Sequence, residues 1–378
     1  MSDVLQGLPS TLPVRGMGEE KGLALVGSMV RERSARLGAP HVLAHMDPPT
    51  PPIAAELVGL NASVNQNLLH PDLSPFAAEA ERRVIDWLTP FFGMAEGHMC
   101  AGSTIGNLTA LWCAREHGAT GIIASADAHL SVPKAAHLLG MPFKAVPVDS
   151  SGRLDREHLP NTDGAAVVLT AGTTGRGVID DLGAIDCAWL HVDAAWAGPL
   201  KLTRYSSQLD GIEKANSVAI SAHKWLFQPK DSALVLFKEK GAQAAISFGG
   251  SYLAAPNIGV QGSRGAAAVA LLGTFLAWGK EGLAERIEHC VALSNELAER
   301  LSADQRCDLR QAPETGVVNW RPKAMEIDPV LLALGETASR TSIEGETWIR
   351  HVAANPHADL DGVWQRIGMA LASDFEGL

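Results

Sequence analysis

Six short apolar runs constrain this 378-residue chain more than any other feature. They are Gly121-Ile122-Ile123-Ala124, Ala145-Val146-Pro147-Val148, Ala165 to Leu169, Trp189 to Val192, Ser217 to Ile220 and Ala233 to Phe237. Each is too short for a helix and lacks the polar alternation of a half-exposed strand, so each reads as a strand buried on both faces. Helical spacing runs through Ala77 to Leu88 and Asn107 to His117. This alternation predicts an α/β fold with a mostly parallel sheet. A long Ala/Leu-rich helix starting near Gly262 leads into a smaller C-terminal α+β domain, where 316–320 and 347–352 read as strands and Asp359 to Leu371 as a closing helix. The cluster Pro48-Pro49-Thr50-Pro51-Pro52 cannot continue a helix, and it sets off an N-terminal arm with its own helical stretch, Gly22 to Leu37. The expected division is an arm over 1–52, a large domain over 53–285 and a small domain over 286–378.

Composition removes several classes of function. A formal charge of -11 without any Lys/Arg cluster argues against a nucleic-acid partner. No run of about eighteen apolar residues suggests a membrane span. Met1-Ser2-Asp3-Val4 lacks the basic segment and apolar core of a secretory signal. The 5 cysteines are scattered and never in Cys-x-x-Cys spacing, which points to free thiols in the cytoplasm. The 13 histidines form no metal-binding pattern, so no metal is expected.

In an open parallel sheet, ligands bind at the carboxyl ends of the strands. Four polar residues fall there independently: His129 after the Ile122 strand, Thr173 after the Val168 strand, Asp193 at the end of the Val192 strand and Lys224 after the Ile220 strand. An acid and a lysine so placed are what pyridoxal 5'-phosphate needs. The amine can condense with its aldehyde, and the carboxylate keeps its pyridine nitrogen protonated.

The chain resembles the group II pyridoxal-phosphate-dependent amino-acid decarboxylases, the family of the aromatic-amino-acid, glutamate and diaminobutyrate enzymes. Five motifs in order carry the resemblance: Ala101-Gly102-Ser103-Thr104-Ile105-Gly106-Asn107-Leu108, Ala128-His129-Leu130-Ser131-Val132-Pro133-Lys134-Ala135, Ala171-Gly172-Thr173-Thr174-Gly175, His191-Val192-Asp193-Ala194-Ala195-Trp196-Ala197-Gly198 and Ala222-His223-Lys224-Trp225. It implies the fold type I, aspartate-aminotransferase-like architecture. It also implies decarboxylation of an L-amino acid to the corresponding primary amine and carbon dioxide.

By that resemblance Lys224 carries the cofactor, Asp193 pairs with the ring nitrogen, His129 stacks on one ring face and Ala195 lies against the other. Thr173 is expected near the ring hydroxyl. Gly102, Ser103 and Thr104 precede a helix, whose free backbone N–H groups make a phosphate cradle, with Ser221 and His223 adding contacts from the lysine side. Tyr252, in the glycine-rich Phe248-Gly249-Gly250-Ser251-Tyr252-Leu253, resembles the family's catalytic-loop tyrosine and is the candidate proton donor to Cα. The resemblance further implies a homodimer with the arm crossing to the partner. Ala78 and Trp196 depart from the family pattern and leave the choice of amino acid open. Two alternatives stand beside this expectation. One is an aminotransferase or Cβ-lyase on the same fold, in which Arg350 would hold the substrate carboxylate and is otherwise read as a salt-bridged residue. The other is a scaffold that has lost its activity, which intact Lys224, Asp193 and His129 argue against.

Overall fold

Each of the six apolar runs overlaps a strand of the computed structural model, which describes residues 6–372. The N-terminal helix α1 (Glu19–Arg33) belongs to a compact unit that ends at Leu37. None of its residues is buried, and Leu23, Val26 and Val30 are exposed.

The second unit begins at Gly38, inside the expected 1–52 arm. Its first stretch joins the C-terminal part of the chain, since the Leu43 N–H donates to the Glu336 carbonyl and the Val352 N–H to the Leu43 carbonyl. The proline cluster opens helix α2 (Pro52–Val64), with Pro51 as N-cap and Pro52 in the first turn, where a missing N–H costs nothing. There follow α3 (Pro75–Phe92), β1 (Glu96–Cys100), α4 (Ser103–Glu116), β2 (Gly121–Ser125), α5 (Ser131–Leu139) and β3 (Phe143–Val146). Strand β3 ends two residues before the apolar run does, because Pro147 has no N–H for the ladder. The remaining strands of the large sheet are β4 (Ala165–Thr170), β5 (Trp189–Asp193), β6 (Ser217–Ser221) and β7 (Ala233–Phe237).

Their order is β1-β7-β6-β5-β4-β2-β3. Strands β2 to β6 pair in parallel, whereas β7 runs antiparallel to both β6 and β1. Alternate residues of β4 feed two cores, as a strand's period of two requires. Val167 and Leu169 join side chains of α3 on one face, and Ala166 and Val168 join α4 and α5 on the other. Strand β1 was not foreseen: Glu-Gly-His-Met-Cys is too polar to read as an apolar run, and buried His98 is held there by Gln243 at 2.5 Å.

Beyond the sheet lie the short strands β8 (Ser247–Phe248) and β9 (Asn257–Ile258), then the long helix α6 (Ala267–Ala303), which breaks at Gly279 (φ 63°, ψ -177°). The C-terminal part contains β10 (Cys307–Leu309), β11 (Val317–Pro322), α7 (Ile327–Leu334), β12 (Ser339–Ile343), β13 (Glu346–Val352) and α8 (Leu360–Ala372). Its antiparallel sheet has the order β10-β11-β13-β12, as expected of a smaller α+β part.

Candidate active site

The parallel register brings the strand ends level, with Thr170 opposite Asp193 and Asp193 opposite Ala219. Asp193 closes β5, Lys224 lies in the tight turn after β6, and His129 follows β2. These three come close enough for their charges to act on one another. Burial pushes the Lys224 amine below its ordinary value, and Asp193 and then Asp47 pull it back. A less protonated amine is the better nucleophile. Burial also lowers His129, against the pull of Asp193. Asp193 itself is buried, accepting from the Ala195 N–H at 3.1 Å and from Asn107 Nδ2 at 2.8 Å.

A second group of residues faces the lysine turn from α4. Gly102 caps this helix at φ 86°, and a Cβ there would come within 3.8 Å of His223 Cε1. The N–H groups of Ser103 and Thr104 open the first turn of α4, where no intrahelical acceptor exists for them. Ser221 Oγ is buried without a hydrogen-bond partner among the described residues. His223 donates from Nδ1 to the Ser232 carbonyl at 3.1 Å. Burial, with Lys230 and Lys224 nearby, pushes it down to about 4. Free N–H groups, an orphan hydroxyl and a helix start together fit the phosphate of pyridoxal phosphate.

Thr173 is buried in the turn after β4, where its Oγ1 accepts from the Val178 N–H at 3.3 Å. The C-terminal part pins this turn: Asn319 Nδ2 donates to the Gly175 carbonyl at 3.0 Å, and Arg350 Nη1 to the Thr174 carbonyl at 2.7 Å. Buried Arg176 ties the turn to Asp127, two residues before His129, at 3.2 Å.

Arg350 is not the salt-bridged residue expected. No carboxylate among the described residues pairs with its guanidinium, which holds the Thr174 carbonyl and, through Nε, Ser339 Oγ at 3.1 Å. It lies near enough to Lys224 to lower the amine's proton affinity. Trp196 is buried, stacked on Trp225 with ring centroids 4.0 Å apart, and donates to the Thr315 carbonyl at 2.6 Å. Ala78 lines a surface pocket with Glu81, His98 and Arg264. Tyr252 is not brought to the cluster within one chain. It is 73 % exposed, with its ring 6.5 Å from that of His70.

Sequence reasoning passed over Asn107, Ser131, His191, Ser217 and Asp47. The first four are buried polar residues joined by hydrogen bonds around Asp193. The signal for two was present. His191 and Asp193 are two apart on a strand and so share a face. Asn107 sits in an apolar helix interior, where an amide needs partners. Asp47 approaches in space only, through an ion pair with Lys230.

A parallel sheet with a desolvated lysine and an acid at adjacent strand ends, beside an anion cradle, defines a pyridoxal-phosphate enzyme of fold type I. Residues 34–323 match the family described as pyridoxal-dependent decarboxylase conserved domain. The chain is 33% identical over 350 residues to the L-2,4-diaminobutyrate decarboxylase of Rhizobium meliloti (strain 1021), covering 82% of this chain and 70% of that one. Identity to the corresponding Acinetobacter baumannii enzyme is 29% over 365 residues, with 81% and 72% covered. Mouse CSAD shares the fold at a TM-score of 0.86 and 24% identity, over 97% of this chain and 90% of that one. The chain belongs to the pyridoxal-dependent decarboxylase family. Its cofactor is pyridoxal 5'-phosphate, and its reaction is decarboxylation of an amino acid to an amine. Membership favours decarboxylation over the aminotransferase and Cβ-lyase alternative. Among the described residues no helix is long and apolar enough to cross a membrane, and no cluster of His, Cys, Asp and Glu could hold a metal ion.

Proposed function

We propose that this enzyme converts an L-amino acid with a short cationic side chain, L-2,4-diaminobutyrate foremost, to the primary amine and carbon dioxide. One observation carries the reading: a buried cation and an acid, Arg350 and Asp47, both lie within charge range of the Lys224 amine. Arg350, which forms no ion pair among the described residues and feels the pull of Asp47, is suited to the substrate's α-carboxylate. Asp47, whose present partner is the exposed Lys230, is suited to a second ammonium. The names of two relatives support the same substrate.

In this reading Lys224 would hold the cofactor, Asp193 would keep its ring nitrogen protonated, and His129 and Ala195 would bound the ring. Gly102, Ser103, Thr104, Ser221 and His223 hold the phosphate, and Thr173 sits by the ring hydroxyl. Once bound, the cofactor supplies an electron sink for the pair left at Cα when carbon dioxide departs. Tyr252 Oη then delivers the proton to Cα. Its exposure in a single chain supports a homodimer in which Tyr252 serves the partner's site. Five free cysteines, four of them buried, support a cytoplasmic setting.

The test is a panel of L-amino acids that includes diaminobutyrate, aspartate, glutamate, tyrosine and cysteine sulfinate, scored for carbon dioxide and amine without a keto acid. Diaminobutyrate should give the highest kcat/KM. Preference for an acidic or aromatic substrate would overturn the assignment of Asp47. Mixing Lys224→Ala and Tyr252→Phe chains should restore about a quarter of the activity if each site draws on both subunits. No recovery would remove the shared site.

A further inference from the structure

We propose that Asn107 is a positioning residue of the active site. Its one side-chain amide holds Asp193 and, through Ser131, fixes the proton on His129. This rests on the roles given to Asp193 and His129 above.

The proton positions follow from a group that can only accept: Asn107 turns Nδ2 toward the Asp193 carboxylate, which leaves Oδ1 facing His191 Nε2. The Trp189 indole N–H has no acceptor capacity. It donates to Ser217 Oγ at 2.8 Å, which leaves the Ser217 proton available to His191 Nδ1, also at 2.8 Å. Burial pushes His191 down to about 4. The Ser217 carbonyl, 3.2 Å from Nδ1, competes for a proton there, but Asn107 Oδ1 requires the one proton of a neutral ring on Nε2. A neutral ring that accepts at Nδ1 must carry its proton on Nε2. That N–H donates to Asn107 Oδ1 at 3.0 Å.

Both Asn107 Nδ2 protons are then directed outward, one to Asp193 Oδ2 at 2.8 Å and one to Ser131 Oγ at 2.9 Å. A flipped amide would set Oδ1 against the Asp193 carboxylate, so only one orientation is satisfied. Ser131 Oγ, having accepted, passes its own proton to His129 Nδ1 at 2.8 Å, where the Ser131 backbone N–H also donates at 3.2 Å. His129 therefore stays neutral with its proton on Nε2.

Asn107, Ser131, His191, Asp193 and Ser217 are all buried, so water does not compete for these bonds. A residue present only to fill space would not need one proton on the acid that faces the ring nitrogen and the other on the serine bonded to His129. Helix α4 is pressed close enough to the sheet for this to happen: a Cβ on Gly106 would come within 3.4 Å of the Ala219 Cβ.

The test uses the holoenzyme with ¹⁵N-labelled histidine and the variant Asn107→Asp, which keeps the shape and replaces two donors by an acceptor. Three quantities are read: the ring-nitrogen signature of His129 between pH 8 and 6, the dissociation constant for pyridoxal phosphate, and the melting temperature. In the wild type, His129 should show a protonated Nε2 and a bare Nδ1 throughout. In the variant, His129 should take up a second proton within that range, and cofactor affinity should fall about 10- to 100-fold. If Asn107→Asp does not fold, Ser217→Ala, which cuts the chain at its far end and frees the His191 tautomer, should produce the same changes in weaker form. A lowered melting temperature with unchanged His129 signals and unchanged affinity would reduce Asn107 to a packing residue and overturn the proposal. Failure of the wild type to take up pyridoxal phosphate would instead overturn the roles on which it rests.

Discussion

The strand-end cluster and the segment around Tyr252 are built in opposite ways. Asp193 is buried and held by two donors, and its neighbours Asn107 and His191 are buried and bonded in turn. Tyr252 and Phe248 are exposed, and among the described residues their only ring contacts are with His70 and Trp112. Groups that keep one geometry through the reaction belong in the sheet, where desolvation sets their proton affinity. A group that must meet a substrate after it arrives belongs on a surface segment, where it can be completed by another chain.

The widest separation between the two regions should come from the two side chains proposed as catalytic. Lys224→Ala should abolish the visible absorbance of bound cofactor and lower turnover by roughly 10⁴-fold or more, read by absorbance and carbon dioxide release. Retained turnover would break the distinction outright. Tyr252→Phe should keep that absorbance and slow amine formation by about 10²- to 10⁴-fold. Loss of cofactor in this variant would place the tyrosine with the cluster after all.

Acid should strike the buried part first. His191 and His351 are each pushed down to about 4 by burial, below the ordinary 6.5. A lowered folded-state value means stability that is complete above pH ~6.5 and lost as pH falls through about 4, on the order of 3 kcal/mol for each ring. Asp180, pushed up to about 6 by burial, works the other way: its contribution is present in acid and lost as pH rises through that value. These two rings, with His223 shifted the same way, outweigh the one carboxyl and leave a net fall, measurable by urea unfolding of the apoprotein at pH 7, 5.5 and 4.5. A flat profile would contradict the burial argument. The smallest effect sharpens the comparison: Arg350→Met should raise KM about 10-fold while leaving cofactor affinity unchanged.

Much of the large sheet was legible because its strands are unbroken apolar runs, and a run buried on both faces leaves little else for the chain to do. Strand β1 escaped because its burial depends on partners far along the sequence: Gln243 for His98, and the β7 backbone for the ladder. The same division holds at the site. Lys224, Asp193, His129 and Thr173 could be placed from strand ends alone. Asn107 could not, since its importance lies in the two groups it joins, which are 24 and 86 residues away. Arg350 was misjudged for a related reason, because a guanidinium satisfied by carbonyls looks in sequence like any other strand arginine. Asp47 lies 183 residues from its lysine, beyond any local pattern.

The stacked indoles of Trp196 and Trp225 have an optical consequence. Each directly follows a residue proposed to touch the cofactor, Ala195 and Lys224, so two of the 9 tryptophans would be held beside a chromophore that absorbs where indoles emit. Loading should therefore dim ultraviolet-excited fluorescence in proportion to occupancy. The protein carries its own gauge of how much vitamin it has taken up.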